Sequence, residues 1–342
     1  MSSNKPRIQD IASAVGVSKT TVSRYLNGKF EFMSEETKKR IEEEIAKTGY
    51  RPNRLANSLK TKRSGLIGLV MSNVMSNQSP QLLGSVCDTC AEYGKKIIIV
   101  NSEKDPEKEK SLVYDLLDQR VEGLLVVSGY NTDFYRKLDR EELPVVLADR
   151  VAENADMDSV AINHAESTRK VIGHLLDKGF ENIVILKRNH RNPNNTPMIR
   201  VRAAEQACFE FFGDAEHSRT ITIDYEPKSE ETTEKFIELT EVLQSCYRES
   251  ERRRTAVFIA EQALMELVVC SYYSAKLQIN DRFTMAGYCE WGMTNMIIPQ
   301  ISTIEQPIER MGQLATKRLI ERIENNAPVQ EASLLSCRVR LA

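Results

Sequence analysis

The 342-residue chain is poor in the side chains on which metalloenzymes and nucleophilic hydrolases depend. It has four histidines (His164, His174, His190 and His217), one tryptophan and an odd number of cysteines, seven. No histidine stands in a nucleophile elbow, a phosphate-binding loop or a metal-ligand spacing. The single CxxC pair, Cys87 and Cys90, has no second pair beside it, so we interpret both as buried thiols on a predicted helix. The sequence argues against an enzyme and predicts no metal and no cofactor.

Long apolar runs are also absent. None approaches the roughly 20 residues that a membrane span needs, and the N-terminus lacks the apolar core of a signal peptide. We therefore expect a cytoplasmic protein with no membrane partner. The chain is longer than one core usually organises, and a hydrophobic content of 41% excludes general disorder, so two or three domains are expected.

The formal net charge of -2 conceals an uneven distribution. Residues 1–63 carry 14 Lys and Arg against 7 Asp and Glu, whereas the remainder carries 33 against 42. A basic segment on an acidic body is typical of a tethered DNA-binding domain, because neutralising phosphates supplies most non-specific affinity. A basic tail without a partner is the alternative.

Two short helices joined at Gly16 are predicted near the N-terminus, the second opened by Ser18 as N-cap. Their apolar positions form a seam at helical spacing: Ile8, Ile11, Ala12, Val15 and Val17. The second helix is rich in outward polar side chains: Lys19, Thr20, Thr21, Ser23, Arg24 and Asn27. In a helix-turn-helix such a helix enters the major groove, where Arg binds guanine and Thr contacts the thymine methyl. A solvated helical hairpin is the alternative.

A third helix is predicted over 35–47, with Ser34 as N-cap and Gly49 at its end. Its apolar residues Ile41, Ile45 and Ala46 are expected to close a small three-helix core. Pro52 then turns the chain into a segment, 53–59, that is too short to be a stable helix alone.

Four blocks in order over about sixty residues resemble the LacI/GalR family of bacterial transcription regulators: Val17 to Gly28, Ser34 to Thr37, Gly49 to Asn53 and Leu55 to Lys60. A looser match continues to the C-terminus. The resemblance implies a homodimeric regulator, acting as a repressor, that binds a pseudo-palindromic operator in double-stranded DNA. It implies a DNA-binding domain at 1–52, a hinge helix and linker at 53–63, and an effector-binding and dimerisation domain at 64–342.

The resemblance also implies which residues contact DNA. Lys19, Thr20 and Arg24 match base-contacting positions. The positions that match contacts to the DNA backbone are Thr21, Ser23, Asn27 and Asn53. Arg54 is also predicted to contact DNA. In the hinge helix, the small Ala56 lets two copies approach, and Leu59 matches the residue that wedges into the minor groove. A plain linker is the alternative for this segment.

Beyond residue 64, strand-like apolar runs alternate with helical patterns, which is typical of parallel sheets covered on both faces. The predicted strands are 66–71, 96–100, 123–127, 145–147, 182–186, 255–259 and 283–287. The predicted helices are 82–92, 107–119, 166–178, 199–212, 230–249 and 264–277. The fold class is an all-α helix-turn-helix headpiece plus an α/β body of two parallel-sheet lobes, similar to a periplasmic binding protein. The first sheet is expected to end near 149–158 and the second near Gly287, with a crossing back through 301–306.

The family places a small effector between the lobes, at the carboxyl ends of the strands. Asp149 and Arg200 match its ligand-clamping positions, but the loop 76–80 has no aromatic residue. Glu261 and Gln262 replace an Asn-Asp pair, and Cys289 replaces an Asp. The predicted effector-binding residues are Ser79, Asp149, Arg150, His190, Thr196, Arg200, Gln262, Cys289, Glu290 and Trp291.

The loss of two carboxylates argues against a neutral sugar, and the segment 187–192 adds cations. We therefore hypothesise an acidic effector, a hexuronate or keto-deoxy sugar acid, because guanidinium groups bind carboxylates bidentately. The loop 76–80 is similar to that of family members that regulate ketogluconate use. The alternative for the segment 187–192 is a solvated basic loop. His164 is interpreted as structural. The alternative function for the whole chain is a solute-binding receptor without a DNA role.

We expect Arg24→Ala to relax base preference at one operator position by about 1 to 3 kcal/mol, because the guanidinium no longer contacts a base edge. Gel shifts on an operator series and on random DNA measure this. An equal loss on both kinds of DNA would make Arg24 a phosphate contact only.

Overall fold

The structure is a computed structural model that describes residues 6–31, 33–50, 63–127, 132–149, 156–189, 196–225, 232–289, 298, 300–330 and 332–342. The chain divides into two compact units, Met1–Ser64 and Gly65–Ala342. The predicted hinge helix, with Asn53, Arg54, Ala56 and Leu59, lies outside the described residues.

The described residues of the first unit form three helices: α1 (Ile8–Val15), α2 (Lys19–Leu26) and α3 (Glu35–Thr48). Ser18 Oγ accepts from the Thr21 N–H at 3.1 Å and Ser34 Oγ accepts from the Thr37 N–H at 3.2 Å, which confirms both predicted N-caps. Gly16 ends α1 and Gly49 ends α3 at φ of 75° and 64°, a conformation that glycine adopts without a Cβ clash.

The core of this unit contains Ile11, Ala12, Val15, Val22, Ile41 and Tyr50. Arg40 Nη2 donates to the Val15 carbonyl at 2.6 Å, so α3 also satisfies the end of α1. Ala46 is exposed, so the prediction that it closes the core is wrong. Tyr50 fills that role instead.

The second unit begins with a lobe, here the N-lobe, built on six parallel strands in the order β2-β1-β3-β4-β5-β11. The strands are β1 (Leu66–Met71), β2 (Lys96–Asn101), β3 (Leu124–Val127), β4 (Val145–Ala148), β5 (Asp158–Ile162) and β11 (Ser333–Leu335). The helices are α4 (Ser79–Glu92), α5 (Pro106–Asp118), α6 (Thr132–Arg140) and α11 (Ile308–Asn325). α4 and α11 cover one face, and α5 and α6 cover the other.

The C-lobe repeats this plan in the order β7-β6-β8-β9-β10-β12, with β12 antiparallel. Its strands are β6 (Asn182–Arg188), β7 (Ser218–Ile223), β8 (Thr255–Ile259), β9 (Phe283–Tyr288), β10 (Ser302–Glu305) and β12 (Arg338–Arg340). Its helices are α7 (His164–Asp177), α8 (Thr196–Phe212), α9 (Thr232–Glu249) and α10 (Gln262–Ser274). α7 and α8 cover one face, and α9 and α10 the other.

The predicted two-lobed α/β body is confirmed, but five strands and two helices were missed: β5, β7, β10, β11, β12, α6 and α11. The N-lobe sheet does not end near 149–158, because β5 and β11 extend it. The segment 301–306, predicted as a crossing, is mostly strand β10. β5 and β10 begin with polar residues, Asp158-Ser159 and Ser302-Thr303, which are buried here and obscure the apolar pattern.

The chain passes between the lobes three times: from β5 to α7, from β10 to α11, and from β11 to β12. Because the strands of each sheet are parallel apart from β12, most of their carboxyl ends share one edge. The crossings lie at that edge, which makes it the natural place for a ligand.

A buried ion cluster ties α11 to the N-lobe sheet. Asp158 is 1% exposed, accepts from Arg318 Nε at 2.6 Å and also from Arg322 Nη1 and the Gln330 N–H. A buried carboxylate with two guanidinium partners is tolerated because each charge compensates the desolvation of the other.

We expect Asp158→Asn to lower the free energy of unfolding by about 3 kcal/mol, because the buried Arg318 and the half-buried Arg322 lose their shared carboxylate. Each arginine keeps one other acidic partner, Glu321 and Asp139 respectively. Urea denaturation of the full chain measures this. The control is Glu141→Gln, at a carboxylate that is 59% exposed and pairs with Lys137 across one helical turn. Its effect should stay within about 0.5 kcal/mol, and a loss no larger for D158N would contradict the assignment.

Candidate functional site

The outer face of α2 carries the side chains predicted to read bases. Lys19, Thr20 and Arg24 are exposed, whereas Val22 on the opposite face is fully buried in the headpiece core. The Lys19 ammonium and the Arg24 guanidinium match the acceptors of major-groove base edges, and the methyl group of Thr20 matches the thymine methyl.

The neighbouring polar residues are held in local contacts. Thr21 Oγ1 lies 2.9 Å from Ser18 Oγ, and Asn27 Nδ2 donates to the Ser23 carbonyl at 2.7 Å. Thr21 and Ser23 are half-buried and Asn27 is exposed. These contacts fix the ends of α2, and the assignment of all six residues to DNA remains a prediction.

In the second unit, polar side chains follow the carboxyl ends of strands in both lobes. Asp149 follows β4, His164 follows β5, Gln262 comes after β8, and Gln306 follows β10. Arg200 reaches the same edge from α8. This is the position at which open parallel sheets bind ligands.

Arg200 is 5% exposed, and the described residues give it neutral hydrogen-bond partners. Nη1 donates to the Ala260 carbonyl at 2.9 Å and Nη2 donates to Gln306 Oε1 at 2.8 Å. The guanidinium lies 3.7 Å from the centre of the Tyr288 ring, which supports it by a cation-π contact. Nε has no hydrogen-bond partner among the described residues. The site therefore holds a desolvated positive charge with an open donor.

Asp149 and His164 lie beside this charge. Asp149 Oδ1 is 3.7 Å from His164 Nε2, and Asp149 has a φ of 66°, a left-handed conformation that is uncommon outside glycine. Burial, with the Arg200 charge adding to it, lowers the pKa of His164 to about 4, so its ring is neutral at pH 7.

Several buried polar atoms at this edge have no hydrogen-bond partner within the described part of the chain: Asp149 Oδ1, both His164 ring nitrogens, Arg200 Nε and Gln262 Oε1. Buried polar atoms are nearly always paired in folded proteins. Such a group of exceptions on the ligand-binding edge of a doubly wound fold indicates a site for a polar molecule.

The segment 187–192, predicted to be a loop that offers cations to the effector, begins as part of a strand. Lys187 and Arg188 belong to β6, and Arg188 is paired with Glu261, which is 4% exposed. Arg188 N–H donates to Glu261 Oε1 at 2.8 Å and Arg188 Nε donates to Oε2 at 2.9 Å. Glu261 therefore neutralises one of the cations that the segment 187–192 was predicted to offer the effector, and residues 190–192 lie outside the described residues.

Other predicted residues have local roles. Ser79 is 2% exposed and its hydroxyl donates to the Asn73 carbonyl at 2.9 Å, while Thr196 is half-buried at the start of α8. Cys289 is 1% exposed and packs in the C-lobe core, and its assignment to the effector stays a prediction. Arg150, His190, Glu290 and Trp291 lie outside the described residues.

The cysteine prediction holds for Cys90 and fails for Cys87. Cys90 is buried, and burial raises the pKa of its thiol to about 11. Cys87, three residues earlier on α4, lies just outside the buried face of the helix and is exposed. Across the described ranges, no group of three or more His, Cys, Asp or Glu side chains is placed to hold a metal ion.

Sequence reasoning did not identify Tyr288 or Gln306 as parts of the site. Tyr288 supports the Arg200 guanidinium and Gln306 accepts from it. Neither residue has a local motif, because both act through Arg200, which is distant in sequence.

None of the described helices is long and apolar enough to cross a membrane.

Three family models match the chain. Residues 7–53 match bacterial regulatory proteins of the lacI family. Residues 65–217 match the periplasmic binding proteins and sugar binding domain of the LacI family, and residues 172–341 match a periplasmic binding protein-like domain. The relatives include the HTH-type transcriptional regulator KdgR of Bacillus subtilis (strain 168), 28% identical over 97% of this chain and 95% of its own length. Catabolite control protein A of Priestia megaterium is 26% identical over 95% and 94%.

Solved structures confirm the fold. The lac repressor dimer bound to operator and the anti-inducer ONPF superposes with a TM-score of 0.80, at 22% identity, over 99% of this chain and 100% of that one. The transcriptional regulator CelR in complex with cellobiose gives a TM-score of 0.63 at 19% identity, over 98% of both chains.

A helix-turn-helix headpiece on a two-lobed binding-protein-like body defines a DNA-binding transcriptional regulator. The chain belongs to the LacI family of bacterial regulatory proteins. The relatives named above are regulators and not enzymes.

We expect the Arg188–Glu261 pair to be strongly coupled. In a double-mutant cycle of Arg188→Ala and Glu261→Ala on urea unfolding, the coupling energy should be about 1 to 3 kcal/mol, because either single change leaves a charge poorly compensated. The exposed Lys110–Glu107 pair, at 2.9 Å, serves as the control and should give less than about 0.5 kcal/mol. Additive single effects at Arg188 and Glu261 would show that the pair does not form.

Proposed function

We propose that this protein is a homodimeric repressor that binds a pseudo-palindromic operator through α2, and that a small sugar acid bound between its lobes controls operator affinity. The observation that carries the acidic effector is Arg200: a buried guanidinium with neutral partners and an open Nε donor. A carboxylate on the ligand would give Arg200 a negatively charged hydrogen-bond acceptor. The described residues of the cleft give it only neutral acceptors.

The headpiece supports the DNA-binding part of the proposal. Lys19, Thr20 and Arg24 share an exposed helix face, and residues 1–63 are strongly basic. Two such headpieces related by a two-fold axis imply an operator with two-fold symmetry. A protein with this role works in the bacterial cytoplasm, associated with the nucleoid when bound to its operator.

Exposed apolar residues support a dimer. Ile99, on the edge strand β2, is 42% exposed, and Ile237, on α9, is 54% exposed. An edge strand with exposed apolar side chains is a surface that proteins usually cover. The related lac repressor structure is a dimer on operator DNA.

Control of DNA binding requires only that the ligand favours one arrangement of the lobes. A ligand shifts an equilibrium by its differential affinity for the two states, and a coupling of about 2 kcal/mol changes operator affinity roughly 30-fold. Tightening and release are both compatible with this value.

Calorimetric titration of the full chain tests the effector. We expect galacturonate, 2-ketogluconate or 2-keto-3-deoxygluconate to bind, and glucose and ribose not to bind. Arg200→Gln should weaken the acid by about 10- to 100-fold, because a hydrogen bond to a charged group contributes about 1.5 to 3 kcal/mol. Glu141→Gln, at an exposed residue that precedes the amino end of β4 and so lies away from the carboxyl-end cleft edge, should bind like the wild type.

Binding of neutral sugars alone would overturn the acidic effector and leave the DNA-binding role intact. That role is tested separately, by selecting operators from random DNA and measuring binding with and without the acids. Equal affinity for selected and random DNA would overturn it and favour a solute receptor.

A further inference from the structure

From the sequence, His164 was interpreted as a structural rather than a catalytic residue, but its ring lacks the pairing that a structural histidine usually has within the described residues. A structural histidine in a core has its ring nitrogens paired with backbone or side-chain groups. His164 is 4% exposed, and neither ring nitrogen has a hydrogen-bond partner in the described part of the chain. The carboxylate of Asp149 lies 3.7 Å from Nε2, beyond ordinary hydrogen-bond length.

The backbone of His164 is held firmly although its ring is not. Tyr288 Oη donates to the His164 carbonyl at 3.1 Å and lies 3.0 Å from Thr168 Oγ1. The imidazole packs edge-on against the Tyr288 ring, with 5.8 Å between ring centres, and Arg200 stacks on the same ring at 3.7 Å. Two polar groups that lack a hydrogen-bond partner among the described residues, the imidazole and the Arg200 Nε–H, therefore flank the Tyr288 ring.

We infer that His164 contacts the effector and selects acids that carry a hydroxyl or keto oxygen next to the carboxylate. This inference rests on the proposed function. Arg200 Nε donates to the carboxylate, and the imidazole hydrogen-bonds the adjacent oxygen. A neutral imidazole has one N–H donor and one bare nitrogen acceptor, so it matches a hydroxyl as either partner and a keto oxygen as donor.

The ionisable groups around the ring keep it in the neutral form that this contact needs. Arg200 faces it from α8, Asp149 from the end of β4, and Tyr288 from β9. Burial and the Arg200 charge lower its pKa to about 4, against the opposing effect of Asp149. An imidazolium would lose its acceptor nitrogen and lie beside a buried guanidinium.

Ligand-free stability separates a binding role from a structural one. We expect His164→Leu in the full chain to melt within about 2 °C of the wild type, or higher, because replacing an unpaired buried polar group by an apolar one of similar size costs little. A fall of more than about 4 °C would mean that the ring nitrogens are paired, directly or through water, and would overturn the inference.

Ligand affinity supplies the second measurement. With 2-ketogluconate and 2-keto-3-deoxygluconate as probes, H164L should weaken binding by about tenfold or more, because the ligand oxygen next to the carboxylate loses its partner. H164N keeps a donor and an acceptor and should recover part of the loss. His174, whose Nε2 lies 2.9 Å from the Ala342 carbonyl, provides the control H174L, which should bind both acids like the wild type.

The outcomes distinguish this inference from the proposed function. If an acid binds the wild type and H164L equally well, the role of His164 is overturned and the acidic effector stands. If the wild type binds neither acid, the acidic effector fails, and the ligand-free melting temperature still decides whether the ring is unpaired. An unchanged or higher value supports an open imidazole, and a clear fall overturns it.

Discussion

The buried guanidinium of Arg200 organises the region where the two lobes join. Its nitrogens reach the Ala260 carbonyl after β8 and Gln306 between β10 and α11, and its plane rests on Tyr288 at the end of β9. Tyr288 in turn holds the segment that leads from β5 into α7 through the His164 carbonyl. A buried charge is costly unless it is hydrogen-bonded. Each of these segments is therefore held in the position at which it contacts the Arg200 guanidinium or the Tyr288 ring that supports it.

The parallel topology explains why these groups meet. In each lobe the strands deliver their carboxyl ends to one edge, and the chain crosses between lobes at that edge. Residues from β4, β5, β8, β9 and β10 are brought together without being close in sequence. The apolar faces of the two sheets, covered by helices on both sides, leave this edge as the place where polar side chains can collect.

Charge balance within the cleft separates structural from binding groups. Glu261 and Arg188 satisfy each other through two hydrogen bonds, so this pair needs no ligand. Arg200, Asp149 and His164 are different, because each retains a buried polar atom without a partner in the described residues. An anionic ligand that also carries hydroxyl groups would satisfy these positions, because its carboxylate accepts from Arg200 and a hydroxyl can donate to Asp149, whereas a hydrocarbon-like ligand would leave them desolvated.

Local signals in the sequence were sufficient where short-range physics decides the structure. Ser18 and Ser34 predicted helix starts, Gly16 and Gly49 predicted helix ends, and the runs of β1, β6 and β8 predicted buried parallel strands, because caps and apolar periodicity act within a few residues. β5 and β10 were not predicted, because both begin with buried polar residues. The charge of Asp158 in β5 is compensated by Arg318 and Arg322, which come 160 or more residues later. Local pattern cannot show such compensation.

The sequence by itself therefore determined the helix-turn-helix headpiece, its basic charge and the alternating strands and helices of the body, and the family resemblance pointed to Asp149 and Arg200. The tertiary structure alone decided which ionisable groups are paired. Glu261, 73 residues from Arg188, neutralises that cation, while the buried ring of His164 has no hydrogen-bond partner among the residues that the structure describes. The reason is physical: a charge or a hydrogen-bond donor is compensated by what lies within a few ångströms, and folding sets those neighbours from distant parts of the chain.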